Sequence, residues 1–522
     1  MQNEIPAVRH GKSPKRRRLL APALAIALAV GLAACGTSGD PGSSGSDHSV
    51  LTIASWDNLR GNYDPQQSQS GMNQYMTPVF ETLVDQDASG TILPMLATAW
   101  EVNDEGTFLK LTLREGVTFH NGEPFDAEAV KASIERGQTL ETSAVKGALS
   151  PITSIEVNGE YEITLDVPGG GAERLLGVLA GVAGVVVPPE ASDDPEFATH
   201  PIGTGPWMVS DDSDATANMI YLAYPEYWDP SVQGVDEIVV KVLSEQASKN
   251  GLLDGSVDFI EVREIATAEA AEAAGMVNLD TSGIMTVFLY QFNKQPGKLF
   301  DNENLRLALA YAIDRESLVD NVFSQVSQQR CEVTSQPVPA GSPYYNSDLE
   351  PITFDPEKAK ELMAAGGKPD GFTFTVTASS AYPPFELALT AMQQQLSEVG
   401  IQMDITVQPL TSLNEEWLAG KYDALFQAAI TPTVYTGPAN LGTVDDDDPS
   451  VSELWNSANT APTVEAQTAD LQAWSAAFQE TAYSATICNM PQNTWVQPNV
   501  KGLSYKPPFA HWILYKNVTI ED

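Results

Sequence analysis

Three cysteines carry the most chemistry in this chain. Cys35 closes the run Leu32-Ala33-Ala34-Cys35-Gly36. Small residues on either side admit a peptidase, and the thiol supplies the nucleophile for attachment of a lipid. The motif, which resembles the bacterial lipobox, therefore predicts acylation of Cys35 after removal of residues 1–34. Cys331 and Cys488 remain as an even pair, which in an oxidising compartment favours a disulfide. Sequence alone does not bring their Cα atoms within bonding range.

Catalytic chemistry finds little support. The chain has no G-x-S-x-G elbow, no G-x-x-x-x-G-K-[ST] phosphate loop, no C-x-x-C and no H-E-x-x-H, and these are the spacings that nucleophiles, phosphates and zinc require. His48, His120, His200 and His511 are scattered. Asp445 to Asp448 form an acidic run that ends at Pro449, without the spaced ligands and glycine of a calcium loop, so a solvated loop is expected. Gly203-Thr204-Gly205-Pro206 lacks the lysine of a phosphate cradle and leads into Trp207-Met208-Val209, which reads as a tight turn into a strand. The chain is expected to be no enzyme and to need neither metal nor cofactor.

The segment before Cys35 reads as an export signal: Lys15-Arg16-Arg17-Arg18, then an apolar run that ends at Ala34. That run is about 16 residues long, short of the roughly 20 that span a bilayer, and Pro22 interrupts it. The arginines also fit a twin-arginine signal, so the export route stays open. Residues 35–47 hold glycine, serine, threonine, aspartate and proline with nothing apolar to bury after Cys35. A flexible tether of that length spans on the order of 20 Å.

Formal net charge is −41, from 69 acidic and 28 basic residues. So negative a surface repels phosphate backbones and anionic lipids, which excludes nucleic acid as a partner and leaves the lipid as the sole contact with membrane. A monomer on the outer face of the cytoplasmic membrane is expected.

Behind the tether, a mixed α/β chain must position any site. Val50–Ala54, Leu109–Leu113, Tyr161–Leu165 and Ile238–Val242 alternate or run apolar as strands do. Helices are predicted after Asp126, over about Asn304 to Ile313, and from Asp355-Pro356-Glu357, where a cap precedes proline at the first helical position. The apolar segment Leu175 to Pro189 is too short to span a bilayer and reads as buried core.

A series of segments, taken in order, resembles the extracellular solute-binding proteins of family 5, the oligopeptide-, dipeptide- and nickel-binding receptors of ABC importers. They include Phe80–Val84, Pro94–Trp100, Leu113–Lys131 with Arg114, Gly116, Asn121, Gly122 and Asp126, Gly203–Trp207, Pro225–Trp228, Leu253–Asp258, Phe292-Asn293, Leu305–Arg315 and Phe354–Ala359. Most of these residues serve turns and helix starts, so they identify a scaffold and leave the ligand open.

The resemblance implies a two-lobed, periplasmic-binding-protein-like α/β fold with a hinge and an extra subdomain in the first lobe. Lobe I would cover 48–285, with the subdomain at about 86–199; lobe II would cover 286–495; and 496–522 would return to lobe I. It also implies that the lobes close on a ligand and present the closed form to permease subunits of an importer. Ligand contacts are expected at Trp56, Asp57 and Asn58 after the first strand, and at Tyr290 and Asn293 at the hinge. Others are expected at Gln427, Ala428, Ala429 and Thr431, with Trp417 and Trp495 as aromatic candidates of the second lobe. Receptors that grip a peptide ammonium carry an aspartate shortly after the strand matching Ala424 to Ala428, where this chain reads Ala429-Ile430-Thr431-Pro432-Thr433. Peptides remain the expected cargo, with an oligosaccharide, another neutral solute or a metal chelate as alternatives, and a ligand sensor or a secreted enzyme as the remote ones.

Overall fold

The computed structural model describes residues 49–56, 62–67, 73–87, 90–279, 281, 285–325, 330–380, 382, 384–430, 449–461, 463–506 and 512–521. Cys35, the tether and the run Asp445–Asp448 lie outside the described residues. Residues 48–522 make one compact unit. No helix among the described residues is long and apolar enough to cross a membrane.

The chain enters on β1 (Val50–Ser55), whose residues after Val50 are all buried. It next builds a four-stranded antiparallel sheet from β2 (Ala97–Val102), β3 (Phe108–Leu113), β4 (Ser154–Gly159) and β5 (Glu162–Asp166), in the order β2-β3-β5-β4. A separate apolar core lies against this sheet, with Leu109, Leu111, Ile163 and Leu165 from its strands. Leu175 to Val186 supplies more of that core: the helix Ala172–Leu179 buries Leu175, Leu176, Val178 and Leu179, and Val186 joins them, while Val185 and Val187 pack into the core of the first large sheet.

The chain then completes a sheet around β1 with β6 (Trp207–Val209), β7 (Asn218–Ala223), β8 (Glu237–Val242), β9 (Phe259–Glu261) and β10 (Val277–Asn278). A second large sheet follows: β11 (Met285–Phe292), β12 (Glu332–Val333), β13 (Phe372–Ser379), β14 (Ile401–Gln408), β15 (Ala424–Ile430) and β16 (Ser484–Pro491). Finally β17 (Thr494–Val496) returns to the first sheet, whose order is β10-β17-β9-β1-β8-β7-β6; the second runs β12-β16-β11-β15-β13-β14. Both sheets contain three adjacent parallel strands: β1 pairs parallel with β8 and β9 at the centre of the first, and β13 with β14 and β15 at one side of the second. Strands of this kind need helical crossovers, which the intervening helices provide.

Local signals hold where they are strongest. Asp126 caps the helix Ala127–Thr139 by accepting from the Ala129 N–H at 2.9 Å, and Asp355 caps Pro356–Ala365 by accepting from Lys358 N–H at 2.9 Å. The helix expected near Asn304 spans Glu303–Tyr311. Gly203 and Gly205 have a tertiary reason for lacking a side chain, since a Cβ at either would collide with the backbone of Pro78–Val79. Their loop also meets His120, whose Nε2 lies 2.9 Å from the Gly205 carbonyl oxygen while the Gly203 N–H lies 3.4 Å from Nδ1. Two of the family-like segments thus hold each other. Cys331 and Cys488 form a disulfide, Cα to Cα 5.7 Å, joining the start of β12 to the core strand β16.

Candidate functional site

In an open sheet with parallel strands, ligands bind beyond the carboxyl ends of those strands. For the first sheet that edge is formed by the ends of β1, β8 and β9. Leu243 N–H donates to the Ser55 carbonyl at 2.8 Å and Val262 N–H to the Asn493 carbonyl at 2.7 Å, so Ser55, Leu243, Val262 and Asn493 sit together. Trp56 follows Ser55 directly. The chain has nine tryptophans, all at described positions, and Trp56 alone is exposed, at 42%. The guanidinium of Arg263, just past β9, lies over the Trp56 ring at 4.1 Å.

Glu245 opens the helix Glu245–Asp254, capped by Ser244. Its carboxylate accepts from the Arg263 backbone N–H at 3.3 Å. Burial raises the pKa of Glu245, against the opposing pull of the Arg263 N–H and charge and of a hydrogen bond from Thr267.

For the second sheet the equivalent edge is formed by the ends of β13, β14 and β15. Ser380 N–H donates to the Gln408 carbonyl at 2.8 Å, and Tyr382 follows. The Tyr382 ring packs 4.7 Å from Phe385 and 6.0 Å from Phe288. Burial pushes its hydroxyl up to about 12, with the Arg263 charge lowering it and the Glu245 charge raising it. Arg263 and Glu245 of the first sheet are thus within electrostatic reach of Tyr382 of the second.

The chain crosses between the sheets twice, from β10 to β11 and from β16 to β17. The crossings touch: Thr281 Oγ1 donates to the Gln492 carbonyl at 2.6 Å, and Leu279 N–H to the Thr494 carbonyl at 3.0 Å.

Of the residues expected at the site, Trp56 stands at this edge. Asp57, Asn58 and Thr431 lie outside the described residues. Tyr290 and Asn293 lie away from the crossing. The second sheet starts at Met285, so the crossing precedes it, and both residues lie further along β11 or past its end. Tyr290 is fully buried with its hydroxyl 3.4 Å and 3.3 Å from the sulfurs of Met392 and Met403. Asn293, also fully buried, donates to the Tyr422 carbonyl at 3.1 Å.

Trp417 is buried in a cluster with Leu413, Tyr422 and Leu425. Trp495, expected in the second lobe, belongs to β17 of the first sheet, where it packs with Ala54 and Ile260 and donates from Nε1 to Asn493 Oδ1 at 2.9 Å. Gln427, Ala428 and Ala429 are residues of β15, paired with Leu289, Phe288 and Val287 of β11. Gln427 and Ala428 are half-buried, and Ala428 packs on the core of the second sheet.

Sequence reasoning missed Arg263, Glu245 and Tyr382. A signal existed for the first of them: an arginine directly after the strand-like run Val257–Val262 falls at the carboxyl end of that strand.

Two α/β lobes with opposed strand ends and a double crossing define a two-lobed binding-protein architecture. Solved structures of that architecture superpose on most of the chain. A dipeptide-binding protein from Pseudoalteromonas sp. SM9913 in complex with Met-Leu matches with a TM-score of 0.77 at 17% identity, over 90% of this chain and 100% of that one. DppA from Helicobacter pylori, a periplasmic binding protein in complex with the peptide STSA, matches with a TM-score of 0.75 at 22% identity, over 91% and 98%.

By sequence, residues 91–449 match the family described as bacterial extracellular solute-binding proteins, family 5 Middle. The chain belongs to the bacterial extracellular solute-binding proteins, family 5. It is also similar to the glutathione-binding protein GsiB of Salmonella paratyphi A, 30% identical over 353 residues that cover 66% of each chain. That match spans just under two thirds of the relative's length.

Proposed function

We propose that this protein is the solute receptor of an ABC importer, held outside the cell by a lipid on Cys35, and that it captures peptides by closure of its two lobes. The observation that carries the reading is the placement of Trp56. It is an exposed tryptophan at the carboxyl end of the central β1, and Arg263 beside it is within electrostatic reach of Tyr382 across the cleft. An indole that stays 42% exposed while a guanidinium lies over its ring offers a ligand its remaining apolar surface beside a positive charge. Peptides are favoured because GsiB, similar to this chain at 30% identity, is a glutathione-binding protein, and glutathione is a peptide; solved structures of the same fold hold peptides, nickel–histidine, Fe(III)-EDTA and opines alike.

We place the first lobe at 48–284 together with 493–522 and the second at 285–492. The four-stranded sheet within the first lobe would be the added subdomain. The receptor would act as a monomer on the outer face of the cytoplasmic membrane, with permease subunits as partners. It would have no cofactor and no turnover of its cargo.

Native mass spectrometry of the purified chain from residue 36 onward tests this. A peptidic solute should be carried at one per chain, and adding it to stripped protein should reduce the radius of gyration without hydrolysis. Hydrolysis of the solute, or a saccharide as the sole cargo, would overturn the peptide-receptor reading.

A further inference from the structure

The receptor reading can be taken one step further, to the chemistry of one end of the ligand. Building on it, we propose that Arg263, braced on Trp56, is the subsite that receives a carboxylate of the bound solute.

Position is the first argument. Arg263 lies two residues past the end of β9, at the edge where the first sheet presents its parallel strand ends. Geometry is the second. The Arg263 guanidinium carbon lies 4.1 Å from the centroid of the Trp56 ring, close enough for a cation–π contact, and the N–H donors of a guanidinium radiate in its own plane. A planar donor edge held in place by that contact matches the two oxygens of a carboxylate and loses little freedom on binding. The Glu245 carboxylate accepts the Arg263 backbone N–H at 3.3 Å, which holds the point from which the side chain departs.

Complementarity across the cleft is the third argument. Tyr382 comes from the opposite sheet and lies within electrostatic reach of Arg263. Its hydroxyl stays protonated at neutral pH, so it has a proton to donate to an anion. The fourth is the setting. With 69 acidic against 28 basic residues the chain's field repels anions, and a carboxylate held in it needs a dedicated cation nearby. Trp56 supplies the surface, Arg263 the charge, and Tyr382 a donor from the other lobe.

The test is a set of calorimetric titrations with glutathione and Met-Leu, each beside its fully amidated counterpart. Wild type, Arg263→Gln and Arg263→Lys are compared after thermal melts confirm folding. Wild type should bind at least one acid about tenfold or more tighter than its amide. Arg263→Gln should abolish that preference, and Arg263→Lys should keep only part of it, because a point charge replaces the fork.

Equal affinity for acid and amide in wild type, or an unchanged preference in Arg263→Gln, overturns the subsite and leaves the receptor standing. Failure of wild type to bind any of the four probes counts against peptide capture itself, and the subsite falls with it. If Arg263→Gln does not fold, Arg263→Lys decides, since an unchanged acid-to-amide ratio there overturns the bidentate assignment.

Discussion

Lys516 donates to Glu81 Oε1 at 2.7 Å, tying the C-terminal stretch to the first of the family-like segments. The same carboxylate accepts from Tyr227 Oη at 2.7 Å and from Trp228 Nε1 at 3.1 Å, while Arg114 lies 3.9 Å over the Trp228 ring. Segments that look unrelated along the chain are therefore parts of one buried polar knot. Its side chains come from four places in the sequence.

That knot gives a stability prediction. The Glu81 side chain is 2% exposed, and removing one partner of a buried charge network leaves the others desolvated and unpaired. Glu81→Ala should lower the unfolding free energy by about 3 kcal/mol. Lys516→Met should cost less, because Tyr227 and Trp228 still satisfy the carboxylate. Urea unfolding of both variants and of the double variant measures the coupling, which should be non-additive.

His120 sets a pH dependence. Burial lowers its pKa to about 4 from 6.5, more than the Gly205 hydrogen bond and the Glu81 charge restore. The fold therefore favours the neutral ring. Its contribution is complete above pH 6.5 and is lost as pH falls from 6.5 towards 4, a difference of about 3 kcal/mol at most for this one group. His120→Gln should flatten that part of the stability curve. Denaturant midpoints at pH 7, 5.5 and 4 check it, and an unchanged slope in the variant would refute the assignment.

The disulfide gives a third. Cys331 and Cys488 are 157 residues apart and both are buried in the core of the second sheet. Closing so long a loop restricts the unfolded chain, so Cys331→Ala with Cys488→Ala should cost about 2–5 kcal/mol and lower the melting temperature. Wild type treated with reductant should melt at the temperature of the variant, as differential scanning calorimetry would report.

What was legible in the sequence follows the range of the interactions concerned. The caps at Asp126 and Asp355 are decided within a few residues, and both were readable. The family-like segments were readable too, though their reason was not: only the fold shows that Gly203 and Gly205 make room for Val79, or that Glu81 collects donors from Tyr227, Trp228 and Lys516.

The site is less legible in sequence, because a ligand contact depends on strand direction and on which face is covered. Tyr290 and Asn293 looked like hinge residues, but the partners that place the start of β11 at the crossing, Ile430 and Pro491, are far away in sequence. Tryptophans are equally ambiguous by type: Trp417 and Trp495 are packed in cores, and Trp56 is exposed beneath Arg263.

Cys35 yields the last prediction, and it separates anchoring from binding. The body carries a large negative charge, and no described helix is long and apolar enough to span a bilayer. Neither feature would hold it at an anionic membrane. Acyl chains can, at about 0.8 kcal/mol per buried methylene, provided more than one chain is attached. Cys35→Ala should therefore move the protein from the membrane fraction to the soluble fraction after export, while its titration with any ligand stays unchanged. Fractionation with a carbonate wash, followed by calorimetry on both forms, reads the two effects independently. A variant that remains with the membranes would mean that something other than the lipid on Cys35 holds the receptor there.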